Sequence, residues 1–169
     1  MSKEYSEEAP DDLSAEVVRL CILKAMHYLQ YSDRTEYQLR QKLKEGGFPP
    51  SAVDEAVDYV KTFHYIDDRR YAESYLRVSR ERKSIREIRE GLKNRGIDRD
   101  LIEEVLNEAD TDEVSVIKNQ AEKKYGAALI EDRKIREKAI RYFSSRGFSY
   151  SVIRKALDEA EMDFHEKTS

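Results

Sequence analysis

Cysteine, glycine, proline and long apolar runs are all scarce in this sequence, and each scarcity removes a class of answer. Cys21 stands alone, so no disulfide can form within the chain, and a reducing, cytoplasmic setting is the expectation. No apolar run approaches the roughly 20 residues that span a bilayer. The first twelve residues, MSKEYSEEAPDD, are acidic and polar, the reverse of a secretory or mitochondrial leader. A Gly-rich phosphate loop and a dinucleotide fingerprint are both missing. His27, His64 and His165 are scattered, none beside Cys21 or a carboxylate pair, whereas a structural zinc site takes about four ligands. No metal, cofactor or catalytic residue is expected, and no run of alternating β-branched residues reads as a strand.

The chain is rich instead in Ala, Leu, Glu, Lys and Arg, the good helix formers. Hydrophobic and charged residues each make up 39% of its 169 residues. That balance suits thin helical layers better than one thick core, because many residues must face water. The length allows one ordinary domain or two to three small modules in series. The net charge of −4 argues against a simple DNA coat, but the charge is segregated. Residues 69–99 hold eleven basic and five acidic side chains, residues 100–113 seven acidic and no basic, and residues 118–146 nine basic and four acidic.

Three steps repeat about 50 residues apart, Gly47-Phe48, Gly96-Ile97 and Gly147-Phe148, a period compatible with helical repeats. Eight residues before each Gly stand Leu39, Ile88 and Ala139, and four before it Leu43, Leu92 and Phe143. Six residues after it stand Val53, Ile102 and Ile153, and ten after it Val57, Leu106 and Leu157. Each set falls on one helical face. A Gly at C′ takes the left-handed conformation that ends a helix, and the next residue folds back onto C3. Phe48 then meets Leu43, Ile97 meets Leu92 and Phe148 meets Phe143. Thr35-Glu36-Tyr37-Gln38 and Ser84-Ile85-Arg86-Glu87 read as capping boxes. The third unit has Ile135 at that place, so its second helix should begin earlier, near Asp132.

The expected fold is all-α, three tandem three-helix repeats stacked into an elongated, curved body. Helices are expected at 15–31, 36–46 and 50–63 in the first repeat (15–66), and at 68–82, 84–95 and 99–109 in the second (67–110). In the third (111–162) they are expected at 112–125, 133–146 and 150–161. Residues 1–14 and 163–169 read as disordered charged tails.

Asp67-Asp68 is an adjacent carboxylate pair that suggests acid–base or magnesium chemistry. The preferred reading is structural, with Asp67 as an N-cap and Ile66 stapled onto Tyr71. Arg82, Arg86, Arg89 and Lys93 fall within about 40° of one another when placed on one helix. Ile85, Ile88 and Leu92 form the core stripe about a quarter turn away. Lys134, Lys138, Arg141 and Arg146 extend a similar surface into the third repeat. These eight residues are the candidate binding surface, to be weighed against a plain solvated face in which Glu90 pairs with Arg86. Were Arg82, Arg86, Arg89 and Lys93 all to meet single-stranded DNA phosphates, the log–log salt slope would be about −3. The eleven tyrosines raise base stacking, but Tyr71 and Tyr75 sit at core spacing.

The segment "YIDDRRYAESYLRVSR" followed by "IREIREGLKNRGI" resembles the central signature of the RecX family. "RTEYQLRQKLKEGGF" resembles the family's first repeat and "AIRYFSSRGFSYSVIRKAL" its third. The likeness covers about residues 21–161. It departs where the family often carries a Gly before the second helix of the middle repeat, since Lys83-Ser84 stand there. The resemblance implies a monomeric, cytoplasmic, non-catalytic modulator of the RecA recombinase, acting in DNA repair, recombination and the SOS response. Such a protein seats in the groove of the RecA–single-stranded DNA filament and limits its growth, ATP hydrolysis and strand exchange. A sequence-tolerant DNA-binding repeat protein without a recombinase partner is the alternative, and a scaffold for an unrelated protein is a third reading.

Overall fold

The capping boxes, C′ glycines and apolar registers of the sequence recur in the structure as helix starts, helix ends and core. The computed structural model describes residues 9–168, which are all-helical with no strand among them. The helices are α1 (Ala9–Tyr31), α2 (Glu36–Glu45), α3 (Pro50–Thr62), α4 (Asp68–Ser79), α5 (Ile85–Lys93) and α6 (Arg99–Glu108). They continue as α7 (Glu113–Tyr125), α8 (Ala128–Glu131), α9 (Arg133–Ser145) and α10 (Tyr150–Thr168). With α8 as a short insertion, they form three three-helix modules. The backbone divides into two compact units, one of the residues up to Tyr71 with Arg95–Ile97, the other of Ala72–Asn94 with Asp98 onward.

Each helix starts and stops for a reason legible in its residues. Thr35 accepts from Gln38 N–H and the Gln38 side chain answers to Thr35 N–H; Ser84 and Glu87 repeat this at α5. Pro50 opens α3 at N1, where its missing N–H is no loss. Asp98, Asp112 and Asp132 cap α6, α7 and α9 through their side chains. Gly47 ends α2 with φ of 83°, its N–H donating to the Lys44 carbonyl and Phe48 N–H to the Leu43 carbonyl. Gly147 and Phe148 make the same pair of bonds to Ser144 and Phe143, the Schellman pattern.

All twelve apolar positions counted from the glycines are buried, and Phe48 is packed on the first core. In the first unit α1 packs on α3, closing a core of Leu39, Leu43, Val53, Val57 and Val60 with Cys21. In the second unit α7 packs on α10 around Ile117, Phe143, Ile153 and Leu157. Burial of one such Leu, Ile or Val contributes about 1.5–3 kcal/mol, so these three-helix cores rest on few residues each.

The ends depart from the expected tails. Residues 9–14 belong to α1, which begins at Ala9 with Pro10 in its first turn. Residues 163–168 belong to α10, whose Asp163 is ion-paired with Lys118 of α7, so the helix stays docked beyond Glu161. Residues 1–8 and 169 of the expected tails lie outside the described residues. The short α8 was also unexpected; Leu129, fully buried in the third module's core, draws that connection inward.

Two joints repeat between sequence-distant segments, one inside each unit. In the first, Thr35 Oγ1 donates to the Arg95 carbonyl at 2.6 Å, and Glu36 N–H donates to Asp68 Oδ1 at 2.9 Å. In the second, Ser84 Oγ donates to the Arg146 carbonyl at 2.7 Å, and Ile85 N–H donates to Glu113 Oε1 at 2.8 Å. A hydroxyl cap thus satisfies a turn carbonyl just before a C′ glycine, while a carboxylate takes an orphan helix N–H. Thr35 and Ser84 are both fully buried, so these bonds are sheltered from water.

Cys21 sits in the first core, and burial pushes its thiol up to about 11. At pH 8 the thiolate would be about 0.1% of the population, against about a quarter for an exposed cysteine. Labelling by a disulfide reagent should be about 100-fold slower in the native chain than in denaturant. Equal rates would show that Cys21 is not held in the core.

Candidate nucleic-acid interface

The basic residues proposed from sequence do not form one continuous stripe. Arg82 is not on α5: it lies in the turn between α4 and α5, its N–H donating to the Ser79 carbonyl at 2.9 Å. The physical reason is Ser84, whose cap starts α5 and interrupts the helix that would have carried all four cations. Arg86, Arg89 and Lys93 remain on α5, with Ile88 and Leu92 buried on its core side.

Arg89 is already engaged. Its Nε and Nη2 donate to the two carboxylate oxygens of Glu103 on α6, at 2.7 and 3.1 Å. This bidentate pair holds the Glu103 carboxyl below its ordinary range and raises the Arg89 guanidinium. The first module has the same clamp at the same register. Arg40 stands seven residues before Gly47 and Asp54 seven after it, and they pair at 2.5 Å. Arg89 and Glu103 stand at those offsets from Gly96. In the first module the clamp extends further: Glu36 accepts from Arg40 at 2.9 Å and from Lys61 at 2.7 Å. Burial works against the Glu36 charge, but the Lys61 and Arg40 hydrogen bonds outweigh it and lower the pKa. Arg89 therefore fastens α5 to α6 and is a weaker candidate for a ligand than Arg86. Lys93 is exposed, with Glu90 at 4.0 Å; the expected Arg86–Glu90 pair gives way to this one.

On α9, Lys134, Lys138 and Arg141 are exposed on one face, while Ala139 and Phe143 point into the core. Arg146 follows in the turn, its guanidinium 5.2 Å from the centre of the Tyr142 ring. Among the described residues no carboxylate lies within ion-pair distance of Arg86, Lys138, Arg141 or Arg146. The structure brings Arg86 and Arg146 together across one open groove of the second unit, about 580 Å³ in volume. Lys83 lines it as well, and periodicity along one helix could not have selected that residue.

Asp67 and Asp68 are structural. Asp67 Oδ1 accepts from Arg70 N–H at 3.0 Å, the N-cap bond expected of it, and Ile66 is buried in the first core. Asp68 carries the joint to Glu36 described above. Its burial, with Glu36 and Asp67 close by, raises its pKa despite that hydrogen bond. Tyr71 and Tyr75 are half-buried and their phenols accept from Arg95 Nε at 3.1 Å and Lys83 Nζ at 2.9 Å. Of the structural glycines, Gly47, Gly96 and Gly147 all have positive φ. Among the described residues no helix is long and apolar enough to cross a membrane.

Comparison with known proteins supplies what the geometry leaves open. Residues 21–59, 67–106 and 110–157 match, in order, the first, second and third three-helix domains of RecX. The chain is 34% identical over 144 residues to the regulatory protein RecX of Vibrio cholerae serotype O1, covering 85% of this chain and 95% of that one. It is 30% identical to the regulatory protein RecX of Clostridium tetani, over 82% of this chain and 66% of the relative. The crystal structure of RecX from Lactobacillus salivarius superposes with a TM-score of 0.78 at 27% identity, covering 88% of this chain and 99% of that one. This chain belongs to the RecX family.

Proposed function

We propose that this chain is a cytoplasmic, non-catalytic regulator that binds the RecA–single-stranded DNA filament and limits its activity in DNA repair and recombination. The observation that carries the reading is the ordered match of all three RecX domains along one chain whose relatives are named regulatory proteins. The surface chemistry supports it. Arg86 on α5 and Lys134, Lys138, Arg141 and Arg146 on and after α9 present cations that are exposed, suited to DNA phosphates. The net charge of −4 works against tight binding to bare duplex. It favours a target in which protein and single-stranded DNA are offered together.

Co-sedimentation tests the reading. The chain should pellet with RecA filaments assembled on single-stranded DNA and a slowly hydrolysed nucleotide, and stay in the supernatant with duplex DNA alone. Absence from the filament pellet, with the helical circular dichroism intact, would overturn it. Pelleting with bare duplex at physiological salt would favour a DNA-binding protein without a recombinase partner.

A further inference from the structure

A glycine in the middle of a nine-residue helix needs an explanation, because it costs about 1 kcal/mol relative to alanine. Gly91 is such a residue in α5. A Cβ at that position would lie less than 3 Å from the phenol oxygen of Tyr75. The missing side chain therefore lets the phenol end of Tyr75 of α4 come close against α5. From there its hydroxyl accepts the Lys83 ammonium at 2.9 Å, and the ammonium is 5.0 Å from the ring centre. Tyr75 and Gly91 line the same groove as Lys83, Arg86 and Arg146.

A second glycine shapes the other wall. At Gly147 a Cβ would come within 3.0 Å of Ser84 Oγ and 3.2 Å of Arg86 Cδ. Its absence lets the Arg86 stem lie on the turn whose Arg146 carbonyl is tied to Ser84. Three cations from three chain segments thus converge on one open groove, each held by a local contact: Lys83 by Tyr75, Arg86 by the glycine turn, Arg146 by the Tyr142 ring. None of the three has a carboxylate within ion-pair distance among the described residues. The acidic residues of the groove have other work: Glu87 accepts from Ser84 N–H at 3.4 Å, and Glu90 lies 4.0 Å from Lys93.

Three cations against two carboxylates that are already bonded elsewhere leave the groove with an excess of positive charge, which an anion would offset. We propose that this groove binds a phosphodiester of single-stranded DNA through Lys83, Arg86 and Arg146, with Tyr75 and Gly91 positioning Lys83. The inference rests on the filament reading above and narrows it, since it selects these three cations over Arg89 and Arg82.

The test is fluorescence anisotropy with labelled oligothymidylate, both RecA-coated and, at low salt, naked, over a salt series. Lys83→Gln with Arg146→Gln should weaken binding to the coated strand at least tenfold and to the naked strand as well. The log–log salt slope should fall by about 0.7 for each phosphate that the variant no longer neutralises. Tyr75→Phe, which changes no charge, should weaken binding a few-fold by releasing Lys83. Arg133→Gln, a charge removed outside the groove, should stay within twofold of wild type. Unchanged affinity and slope in the double variant overturn the proposal while leaving filament binding standing. Loss confined to the coated strand, with the slope unchanged, places carboxylates of the protein coat in the groove and overturns the phosphodiester assignment. If the wild-type chain itself fails to bind the coated strand, the filament reading falls and the groove assignment with it.

Discussion

Gly96→Ala is expected to destabilise the protein by about 3 kcal/mol, whereas Gly47→Ala, at the same place in the first repeat, should cost about 1 kcal/mol. Both residues have positive φ, 73° and 83°, and the left-handed conformation costs a residue with a Cβ about 1–2 kcal/mol. They differ in what surrounds them. A Cβ at Gly47 meets nothing within 4 Å, while one at Gly96 falls less than 3 Å from Tyr37 Cβ and Cγ. Those atoms cannot swing aside as a side-chain tip would, so the helix start must shift, an overpacking cost of about 1–3 kcal/mol. Urea denaturation of the two variants checks this. Equal losses would show that the glycine is required for its backbone alone and that the close approach of α2 to the Arg95–Ile97 turn is not maintained.

Ser84→Ala should cost about 2–3 kcal/mol, more than the roughly 1 kcal/mol typical of a lost N-cap. The same hydroxyl accepts from Glu87 N–H at 3.1 Å and donates to the Arg146 carbonyl at 2.7 Å. Substitution leaves both a helix donor and a partly buried carbonyl without their partner, and each orphaned group costs about 1–3 kcal/mol. Asp112, which caps α7 at an exposed site, provides the comparison: Asp112→Ala should cost only about 1 kcal/mol. If the two variants are equally stable, Ser84 is a cap and nothing more.

The helices, their caps and their cores were legible because these features are local. Leu39, Leu43, Phe48 and their counterparts follow from offsets of a few residues around a glycine, and Thr35 and Ser84 announce α2 and α5 by the residue three places on. What escaped was chemistry spanning tens of residues. Arg89 reads as an exposed cation on α5, yet its partner Glu103 is 14 residues away on the next helix. Comparing the repeats would have shown it, since Arg40 and Asp54 hold the same offsets from their glycine. Asp68 and Glu113 cap helices 32 and 28 residues earlier, which no periodicity reveals. The mid-helix Gly91 is visible in the sequence, but the room it makes for Tyr75, and through Tyr75 the place of Lys83, is a contact between helices that only the fold supplies. Arg82 was misplaced because the angular count ran straight through the break that Ser84 imposes. The end segments 9–14 and 163–168 are polar in composition but are continuations of helices whose inner turns are buried.

The single-stranded-DNA-dependent ATPase of the cognate RecA, titrated with this protein well below equimolar amounts, tests the account most directly. Progressive loss of hydrolysis at those ratios is the predicted result, and would mean that few bound molecules limit a long filament. Hydrolysis unchanged up to equimolar protein, with the chain shown to be folded, would contradict the regulatory account.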